Sequence, residues 1–396
     1  MGDFHCQWAL VTDGLWRKSL SAIRSLGRAG FSVAVMGDSH LTIGFWSRYT
    51  RKRILAPAAS LNPTMFGAVL LETVRRLYTQ HGRVILLPME DPSLVWVVNN
   101  WDKIADFVHA ILPNAQSLRI AESKRETMEL ANSVGLPCPK TYVADSMATL
   151  RDAVERFTGD GYVIKPSAGT GSAGVLYGEA GVNHDLKRHS QQYATLLIQE
   201  RIPAEGRGLG VSLLMDARGA CLASFAHERL QQYPNSGGPS TDRIAIAAPE
   251  LVAMSIRLMQ GLFWRGVAMV EWKDDPRDHV PKLMEINPRF WGSLELSVRA
   301  GVDFPLLYAR ASLGEELEPV HRYAVGTRCR WMFPGEILRY LTLEKAKREP
   351  LRTFLKGFFC LSEEWDSRDK RGWLAVILCG LALALRPRYW KYVRRG

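Results

Sequence analysis

Cysteines are few in the 396-residue sequence, and they form no metal-binding or redox pattern. The six cysteines are scattered, with no C-x-x-C pair and no histidine at zinc-ligand spacing. We therefore expect reduced, mostly buried thiols in a cytosolic protein. A signal peptide is also lacking, because the first eight residues contain Asp3 and His5 and no apolar h-region. These absences predict that the bulk of the protein stays in the cytoplasm.

Motifs of two common enzyme classes are absent as well. No G-x-G-x-x-G follows the first predicted strand, and no G-x-S-x-G marks a nucleophilic serine. Acidic residues are outnumbered, with 51 Lys and Arg against 40 Asp and Glu, which gives a formal charge of +11. That charge alone does not show whether the protein binds nucleic acid, an anionic membrane or anionic ligands. The 47% hydrophobic content is that of an ordinary globular protein, long enough for two or three domains.

Apolar strands alternate with helical spacing up to about residue 115, which predicts a parallel sheet covered on both faces. The predicted strands are 8–12, 31–36 and 84–88, with helices at 19–29 and 63–80. Met89-Glu90-Asp91 follows the last of these strands, at the edge where such sheets bind ligands, so it could touch a substrate. The alternative, which we favour, is that Asp91 is the N-cap of the next helix.

A glycine-rich segment after the strand 162–165 is typical of a phosphate-binding loop. The strand ends in Lys165, and small residues from Ser167 to Gly174 lead into another apolar strand. Small residues let backbone N–H groups approach phosphate oxygens, and the lysine supplies a positive charge. The order differs from a Walker A loop, because the lysine precedes the glycines and a strand follows them. A flexible hairpin loop is the alternative.

A predicted hairpin carries oxygen ligands for a divalent cation. Leu283–Asn287 alternates apolar and polar residues, so Glu285 and Asn287 point to the same face of a strand. The polar turn 274–278 folds the preceding strand back and brings Glu271 towards them. Carboxylate and amide oxygens suit Mg²⁺, and the nearby Arg289 suits a phosphate. A surface hairpin with solvated acids is the alternative.

Four signals in this order resemble the ATP-grasp superfamily, over about residues 1 to 325. The superfamily includes biotin carboxylase, carbamoyl-phosphate synthetase, D-alanine–D-alanine ligase and D-aspartate ligase. Each signal alone is weak, but the four together form a strong pattern. They are Lys124 at the start of a helix, the Val-Ile-Lys165-Pro strand with its loop, the hinge Ile198–Ile202, and Glu271 followed by Glu285-Ile-Asn287-Pro-Arg289.

The resemblance implies roles for the matching residues. One or two Mg²⁺ ions, with Mn²⁺ as an alternative, would be bound by Glu271, Glu285 and Asn287. Arg289 and Lys165 would be catalytic, with Arg289 stabilising an acyl phosphate. ATP would be bound by Lys124, Lys165, Gly169, Gly171, Ser172, Gly174, Gln199, Glu200, Ile202 and Glu205. The segment after Glu205, Gly206-Arg207-Gly208, departs from the acidic pair that is commoner in the family.

The implied fold combines α/β and α+β parts. Residues 1–115 would form a Rossmann-like pre-ATP-grasp domain, followed by a two-subdomain ATP-grasp fold. Its small subdomain would span 116–195 and include the glycine-rich loop, and its large subdomain would span 196–325 and include the metal site. Residues 326–396 would form a helical extension with an apolar helix and a basic tail.

The implied function is an ADP-forming carboxylate–amine ligase acting through an acyl phosphate. Its substrates would be a small carboxylic acid and an amine, amino acids among them, and a homodimer is compatible with this function. The alternatives are a membrane-associated ATP-binding scaffold and a carboxylating or carbamoyl-phosphate-forming relative. We expect no nucleic-acid partner, because the positive charge concentrates in a tail beside an apolar helix.

Substrate selection is expected near a Gly/Pro/Ser run at 232–240, which is typical of a mobile active-site lid. An arginine beside such a lid could bind a substrate carboxylate through two N–H groups. Ordinary solvated surface charges are the alternative for the two arginines. The candidate substrate residues are His227, Arg229, Ser240 and Arg243.

The C-terminal segment 372–385 contains no charge. As a helix its fourteen residues would span roughly 21 Å, short of the roughly 30 Å hydrocarbon core, so it should not cross a bilayer alone. Eight basic residues against two acidic ones surround it between residues 366 and 396, together with interfacial Trp and Tyr side chains. We favour peripheral contact with an anionic cytoplasmic leaflet. A helix buried against the catalytic core is the alternative.

Overall fold

Three β-sheets organise the chain in a computed structural model, which describes residues 7–157, 161–167, 174–178, 186, 192–234 and 238–384. The first sheet is parallel, and the other two are antiparallel. Helices pack on all three sheets and form a C-terminal extension. The expected combination of α/β and α+β architecture is therefore confirmed.

The first sheet has five strands, and helices cover both of its faces. Val11, Val35 and Leu87 enter one core, whereas Leu10 and Leu86 point to the opposite core, as the alternation of a strand requires. Its elements are β1 (Trp8–Val11), α1 (Arg17–Arg28), β2 (Ser32–Gly37), β3 (Thr50–Leu55), α2 (Pro63–His81), β4 (Val84–Leu87), α3 (Asp91–Asn99), α4 (Trp101–Ile104) and β5 (Val108–His109). The strand order is β3-β2-β1-β4-β5. The edge strand β3 is absent from the sequence-based prediction, because its charged sequence gives no apolar run.

Glu90 is the N-cap of α3, so the favoured prediction that Asp91 caps this helix is wrong. The Glu90 N–H donates to Ser93 Oγ at 3.3 Å, and Asp91 is the first helical residue. The Asp91 carboxylate instead forms an ion pair with Arg289.

A second sheet of four strands, in the order β6-β9-β7-β8, forms the small subdomain. Its elements are β6 (Thr141–Ala144), α7 (Met147–Glu155), β7 (Tyr162–Pro166), β8 (Leu176–Gly178) and β9 (Leu196–Glu200). Because β9 pairs with β6 and β7, residues 196–200 belong to this sheet and not to the sheet of the next strand in the chain. Periodicity identifies a strand but does not specify which neighbour it pairs with.

The third sheet is the largest, in the order β14-β13-β10-β11-β12-β15. Its strands are β10 (Gly208–Met215), β11 (Cys221–Gln232), β12 (Ser240–Ala245), β13 (Gly266–Asp275), β14 (Val280–Asn287) and β15 (Arg328–Arg330). One face packs on the helices α5 (Ala115–Glu122), α6 (Lys124–Ser133) and α8 (Pro249–Gly261). The other face shares a core with the first domain and with α9 (Leu294–Arg299) and α10 (Phe304–Ser312). By packing, α5 and α6 therefore belong with this sheet rather than with the small subdomain.

The C-terminal extension is mostly helical but contributes β15 to the large sheet. Its helices are α11 (Ile337–Thr342), α12 (Leu351–Cys360) and α13 (Lys370–Ala384), after a π-helical turn at Met332–Glu336. Short 3₁₀ turns occur at Ile43–Trp46, Ala105–Phe107 and Lys345–Lys347. Within the described ranges, no helix has the length and apolarity that crossing a bilayer requires.

Fewer cysteines are buried than the sequence predicts. Cys329 and Cys379 are buried, Cys138 and Cys221 are partly exposed, and Cys360 is exposed. All five are free thiols, and burial raises the pKa of Cys329 to about 12. The five described cysteines are reduced, as expected, but only two of the five are buried.

Buried ion pairs fasten the extension to the first domain. Asp369 is fully buried, and it accepts hydrogen bonds from Arg24 Nε at 2.9 Å and from Ser47 Oγ at 2.8 Å. The Arg48 backbone N–H donates to its other oxygen at 2.9 Å. One carboxylate of the extension therefore joins α1 to the segment that leads into β3.

We expect Asp369→Ala to destabilise the protein strongly, because it leaves the buried Arg24 guanidinium without its nearest carboxylate. Breaking one side of a buried ion pair lowers the free energy of unfolding by about 3–5 kcal/mol. Urea unfolding followed by circular dichroism measures this change. The control is Glu72→Ala, which removes an exposed pair with Arg76 and should change the free energy by less than about 0.5 kcal/mol. Equal unfolding midpoints for the two variants would contradict the role of Asp369.

Candidate active site

The hairpin of β13 and β14 places two carboxylates and an amide next to each other. Glu271 and Glu285 are opposite residues of the ladder, and Asn287 Nδ2 donates to Glu271 Oε1 at 3.0 Å. Burial raises the pKa of Glu271, and the Glu285 charge adds to that increase. Two carboxylates held this close favour a cation between them, and their oxygens suit Mg²⁺. Within the described ranges no group of three or more His, Cys, Asp or Glu side chains could hold a metal ion, so the candidate set is two carboxylates and one amide.

Arg229 supplies a positive charge to this carboxylate pair. Its Nη2 forms an ion pair with Glu271 Oε1, across the intervening strand β10. The β10 residues between β11 and β13 at this level are Gly208 and Gly210. A Cβ at Gly208 would lie 3.3 Å from Arg229 Cδ, and one at Gly210 would lie 2.4 Å from His227 Cε1. Because they have no side chains, the two glycines leave room on this face of the sheet for the side chains of Arg229 and His227.

Lys165, near the end of β7, faces Glu285 and lies close to two other lysines. The pKa of Lys165 is lowered to about 8, chiefly by burial and also by repulsion from Lys124 and Lys273. Attraction to Glu285 acts in the opposite direction and raises this pKa. Lys124 is the first residue of α6, and its backbone N–H donates to Ser167 O at 3.1 Å. A cluster of three ammonium groups suits an anion with several negative charges, such as a polyphosphate.

The hinge between the small and large sheets has polar contacts on both sides. Gln199 Nε2 donates to Thr141 Oγ1 at 2.9 Å, and Glu200 Oε1 accepts from the Lys140 backbone N–H at 3.0 Å. Lys273 Nζ donates to the carbonyl of the buried Ile202 at 3.2 Å. Glu205 is exposed, and its charge acts on Lys273. Lys273 therefore links the hinge to the strand that carries Glu271.

Part of the predicted glycine-rich loop can be described. Gly174 has a φ of 75°, and a Cβ there would lie 2.4 Å from Tyr193 Oη. Both observations favour glycine at this position. Gly169, Gly171 and Ser172 lie outside the described residues, so their predicted phosphate contacts stay predictions.

The residues beside the predicted lid are more buried than expected. His227 is 1% exposed, its Nε2 lies 3.4 Å from Ser293 Oγ, and burial lowers its pKa to about 3. Arg243 is fully buried and donates from Nη2 to Glu363 Oε2 at 2.5 Å, so it is not a solvated surface charge. Ser240 Oγ donates to Gln231 O at 3.2 Å. Only residues 233–239 separate β11 from β12, because both strands extend into the predicted lid segment.

A second group of charges lies where Arg289 meets the first domain. Arg289 Nε is 2.9 Å from Asp91 Oδ1, and Lys18 Nζ is 2.6 Å from Glu90 Oε1. Lys18 also donates to the Phe290 carbonyl at 3.0 Å, and burial with the nearby Arg289 lowers its pKa to about 8. Asp13 Oδ2 accepts from Ser93 Oγ at 2.6 Å. Burial and the Glu90 charge raise the Asp13 pKa.

This group occupies the ligand-binding edge of the parallel sheet. Asp13 follows β1 and Glu90 follows β4, two adjacent strands between which the strand order reverses. Open α/β sheets bind ligands at such a switch point. Asp13 also has a φ of 52°, an uncommon conformation for a residue other than glycine. Sequence reasoning considers Glu90 and Asp91 but misses Asp13 and Lys18, although the end of the first predicted strand could have indicated Asp13.

The candidate site is thus one continuous series of facing charges. It extends from Lys124 and Lys165 through Glu285 to Arg289, and each neighbouring pair is close enough to shift a pKa. It continues from Arg289 through Asp91, Glu90 and Lys18 to Asp13. Residues from all three sheets and the segments that follow their strands therefore contribute to this series.

Part of the chain matches a family model. Residues 229–332 match a family described as ATP-grasp in the biosynthetic pathway with Ter operon. This segment includes Glu271, Glu285, Asn287 and Arg289, and it covers about a quarter of the chain. No curated protein matches the sequence significantly.

Several solved structures share the fold at low sequence identity. N5-carboxyaminoimidazole synthetase from Staphylococcus aureus is 13% identical, with a TM-score of 0.62 over 82% of each chain. The biotin carboxylase domain of 2-oxoglutarate carboxylase from Hydrogenobacter thermophilus, solved with MgADP, ADP and bicarbonate, is 13% identical with a TM-score of 0.63, over 83% of this chain and 73% of that one. An L-amino acid ligase from Bacillus licheniformis is 15% identical with a TM-score of 0.57, over 79% of this chain and 75% of that one. The chain thus shares the fold of these enzymes, and its residues 229–332 resemble an ATP-grasp family.

Proposed function

We propose that the protein is an ATP-dependent, ADP-forming ligase that joins a small carboxylic acid to an amine. The series of facing charges from Lys165 to Asp13 is the observation that carries this proposal. It combines groups that suit a polyphosphate, a divalent cation and a second substrate. Amino acids are candidates for both substrates.

The proposed reaction has two steps. A carboxylate oxygen of the acid attacks the γ-phosphorus of ATP, the bond from that phosphorus to the bridging oxygen breaks, and ADP leaves. The amine nitrogen then attacks the acyl phosphate carbon, and the C–O bond to phosphate breaks. An amine that binds as an ammonium group first loses one proton to become nucleophilic, and its nitrogen releases a second proton as the amide forms. The products are an amide, ADP and phosphate.

Charge neutralisation is the main task of the side chains. Lys124 and Lys165 would neutralise ATP phosphates, and Arg289 would stabilise the acyl phosphate while Asp91 holds its guanidinium in place. Glu271, Glu285 and Asn287 would bind one or two Mg²⁺ ions, with Mn²⁺ as an alternative. A bound ion would supply positive charge that offsets the negative charge of the ATP phosphates.

We assign the amine to the two carboxylates Asp13 and Glu90, because carboxylates at the switch point suit an ammonium group. A carboxylating or carbamoyl-phosphate-forming enzyme stays the alternative, because it too would join an activated carboxylate to a nitrogen. A pure ATP-binding scaffold would need neither this pair nor Arg289. A cytoplasmic location and a homodimer are parts of the proposal that remain predictions.

The first test measures phosphate release from Mg-ATP with pooled carboxylic acids and amines. We expect release that requires both an acid and an amine, and Glu285→Ala should reduce it at least about a hundredfold, as when an electrostatic group of an active site is lost. The control is Glu228→Ala on β11, whose carboxylate pairs with the exposed Arg207. ATP binding without turnover in any pool would support the scaffold instead.

A second test concerns the cation site itself. In Arg229→Met the pKa of Glu271 should rise further, because its counter-charge is gone. A carboxyl group whose folded pKa exceeds its unfolded value destabilises the fold increasingly as the pH rises through that pKa. We therefore expect a melting temperature close to the wild type at pH 5 and clearly lower at pH 8, with millimolar Mg²⁺ restoring part of the difference. The free-energy loss should stay below the ~3–5 kcal/mol of a fully buried pair, because both groups are partly exposed.

Arg207→Met is the matched control for this test, since Arg207 pairs with carboxylates of the same sheet but is more than half exposed. It should change stability little and show no dependence on Mg²⁺. If Mg²⁺ has no effect on Arg229→Met, the carboxylate pair does not bind the ion.

A third test concerns the amine pocket. Asp13→Asn keeps the size of the side chain and tolerates the left-handed backbone, but it removes the charge. Losing a charge-assisted hydrogen bond of about 1.5–3 kcal/mol should raise the KM of the amine about 10- to 100-fold, with the KM of ATP unchanged. Asp38→Asn, at an exposed acid that follows β2, is the control. An equal rise in both KM values would contradict the assignment.

A further inference from the structure

Helix α13 has two faces of different character. Gly372, Ala375, Val376 and Cys379 are buried, and the helix packs on the turn Ile43–Trp46 and on Phe333. These inward residues are small, which allows close packing. The helix therefore packs on the rest of the protein with one face only, and its other face is exposed.

The outward face of α13 is apolar. Leu374, Leu378 and Leu381 are 48%, 56% and 51% exposed, and their spacing of four and three residues places them on one stripe. The exposed Lys370 and Arg371 precede this stripe at the start of the helix. A solvent-facing helix normally carries polar residues there, so the stripe indicates a contact surface.

Basic and aromatic residues of the first domain adjoin this helix. Trp46 belongs to the turn that packs on α13, yet it is 45% exposed, and the Arg53 guanidinium lies 5.0 Å from its ring centre. Arg51 and Arg53 are exposed on the edge strand β3. Arg48 Nη1 donates to the Arg368 carbonyl at 3.0 Å, just before α13. The leucine stripe and these residues form what we call the helix–edge surface: Trp46, Arg51, Arg53, Lys370, Arg371, Leu374, Leu378 and Leu381.

We propose that the helix–edge surface binds an anionic lipid bilayer, with α13 parallel to the membrane plane. The leucines would enter the boundary between headgroups and acyl chains, Trp46 would sit at the interface, and the arginines would contact lipid phosphates. The sequence beyond Ala384 carries five further basic residues and no acidic one, which adds to the same attraction. This combination of a leucine stripe and positive charge fits an anionic bilayer better than a protein partner.

The test is sedimentation of the full-length protein with vesicles. We expect binding to vesicles of phosphatidylcholine with phosphatidylglycerol, weaker binding at high salt, and little binding to phosphatidylcholine alone. The triple variant Leu374→Ser, Leu378→Ser, Leu381→Ser and the double variant Arg51→Glu, Arg53→Glu should each lower the apparent affinity at least about tenfold. Circular dichroism of each variant checks that it is folded.

Matched controls change exposed residues elsewhere. Leu61→Ser alters a leucine that is 74% exposed, and Arg75→Glu with Arg76→Glu alters two exposed arginines of α2. Both should bind vesicles like the wild type. The proposal is overturned if the wild type binds neither vesicle type or if the triple variant binds undiminished. It is also overturned if light scattering finds a dimer that the triple variant converts to a monomer, because the surface then joins two copies of the chain.

Discussion

The close approach of Glu271 and Glu285 is the constraint on which the rest of the site depends. Two carboxylates on adjacent strands repel each other, and burial strengthens that repulsion. Arg229 offsets it from two strands away, which is possible because Gly208 and Gly210 leave the intervening strand without side chains. The sheet therefore holds the two carboxylates in the arrangement that the proposed cation site requires. Such preorganisation avoids rearrangement at the moment of reaction.

Arg289 extends this arrangement into the first domain. It lies two residues beyond Asn287, so the strand that carries the proposed oxygen ligands also positions the guanidinium. Its ion pair with Asp91 and the bond from Lys18 to the Phe290 carbonyl hold the segment after β14 against the ends of β1 and β4. Charged groups that would meet the substrates therefore contribute to the contact between the first domain and the large sheet, beside the hydrophobic core that these parts share. A shift of one part relative to the other would change the spacing of these charged groups.

The elements of this site can be predicted from sequence to the extent that local patterns define them. The alternation around Glu285 and Asn287 predicts a strand and its face, and the polar turn predicts that Glu271 lies opposite. The pairing of β9 and the course of β3 cannot be predicted this way, because they depend on which strands meet in space. The contact of Arg243 with Glu363 joins residues 120 positions apart, and no local pattern connects them. Lys18 escapes prediction for the same reason, since it becomes part of the site only where α1 meets the segment after β14.

The environment of the C-terminal helix cannot be deduced from its uncharged sequence alone. Leucines, alanines and glycines alternate in it without a polar face, so its sequence alone fits a buried helix as well as one at a membrane. The neighbouring elements decide between these environments: the small residues face the turn at Ile43–Trp46 and Phe333, and the leucines face outward. The buried pair of Asp369 with Arg24 and the partly exposed pair of Asp366 with Arg28 hold the start of the helix in place and so help to set its rotation. Two acidic residues in an otherwise basic segment therefore help to orient the apolar stripe of the helix outward.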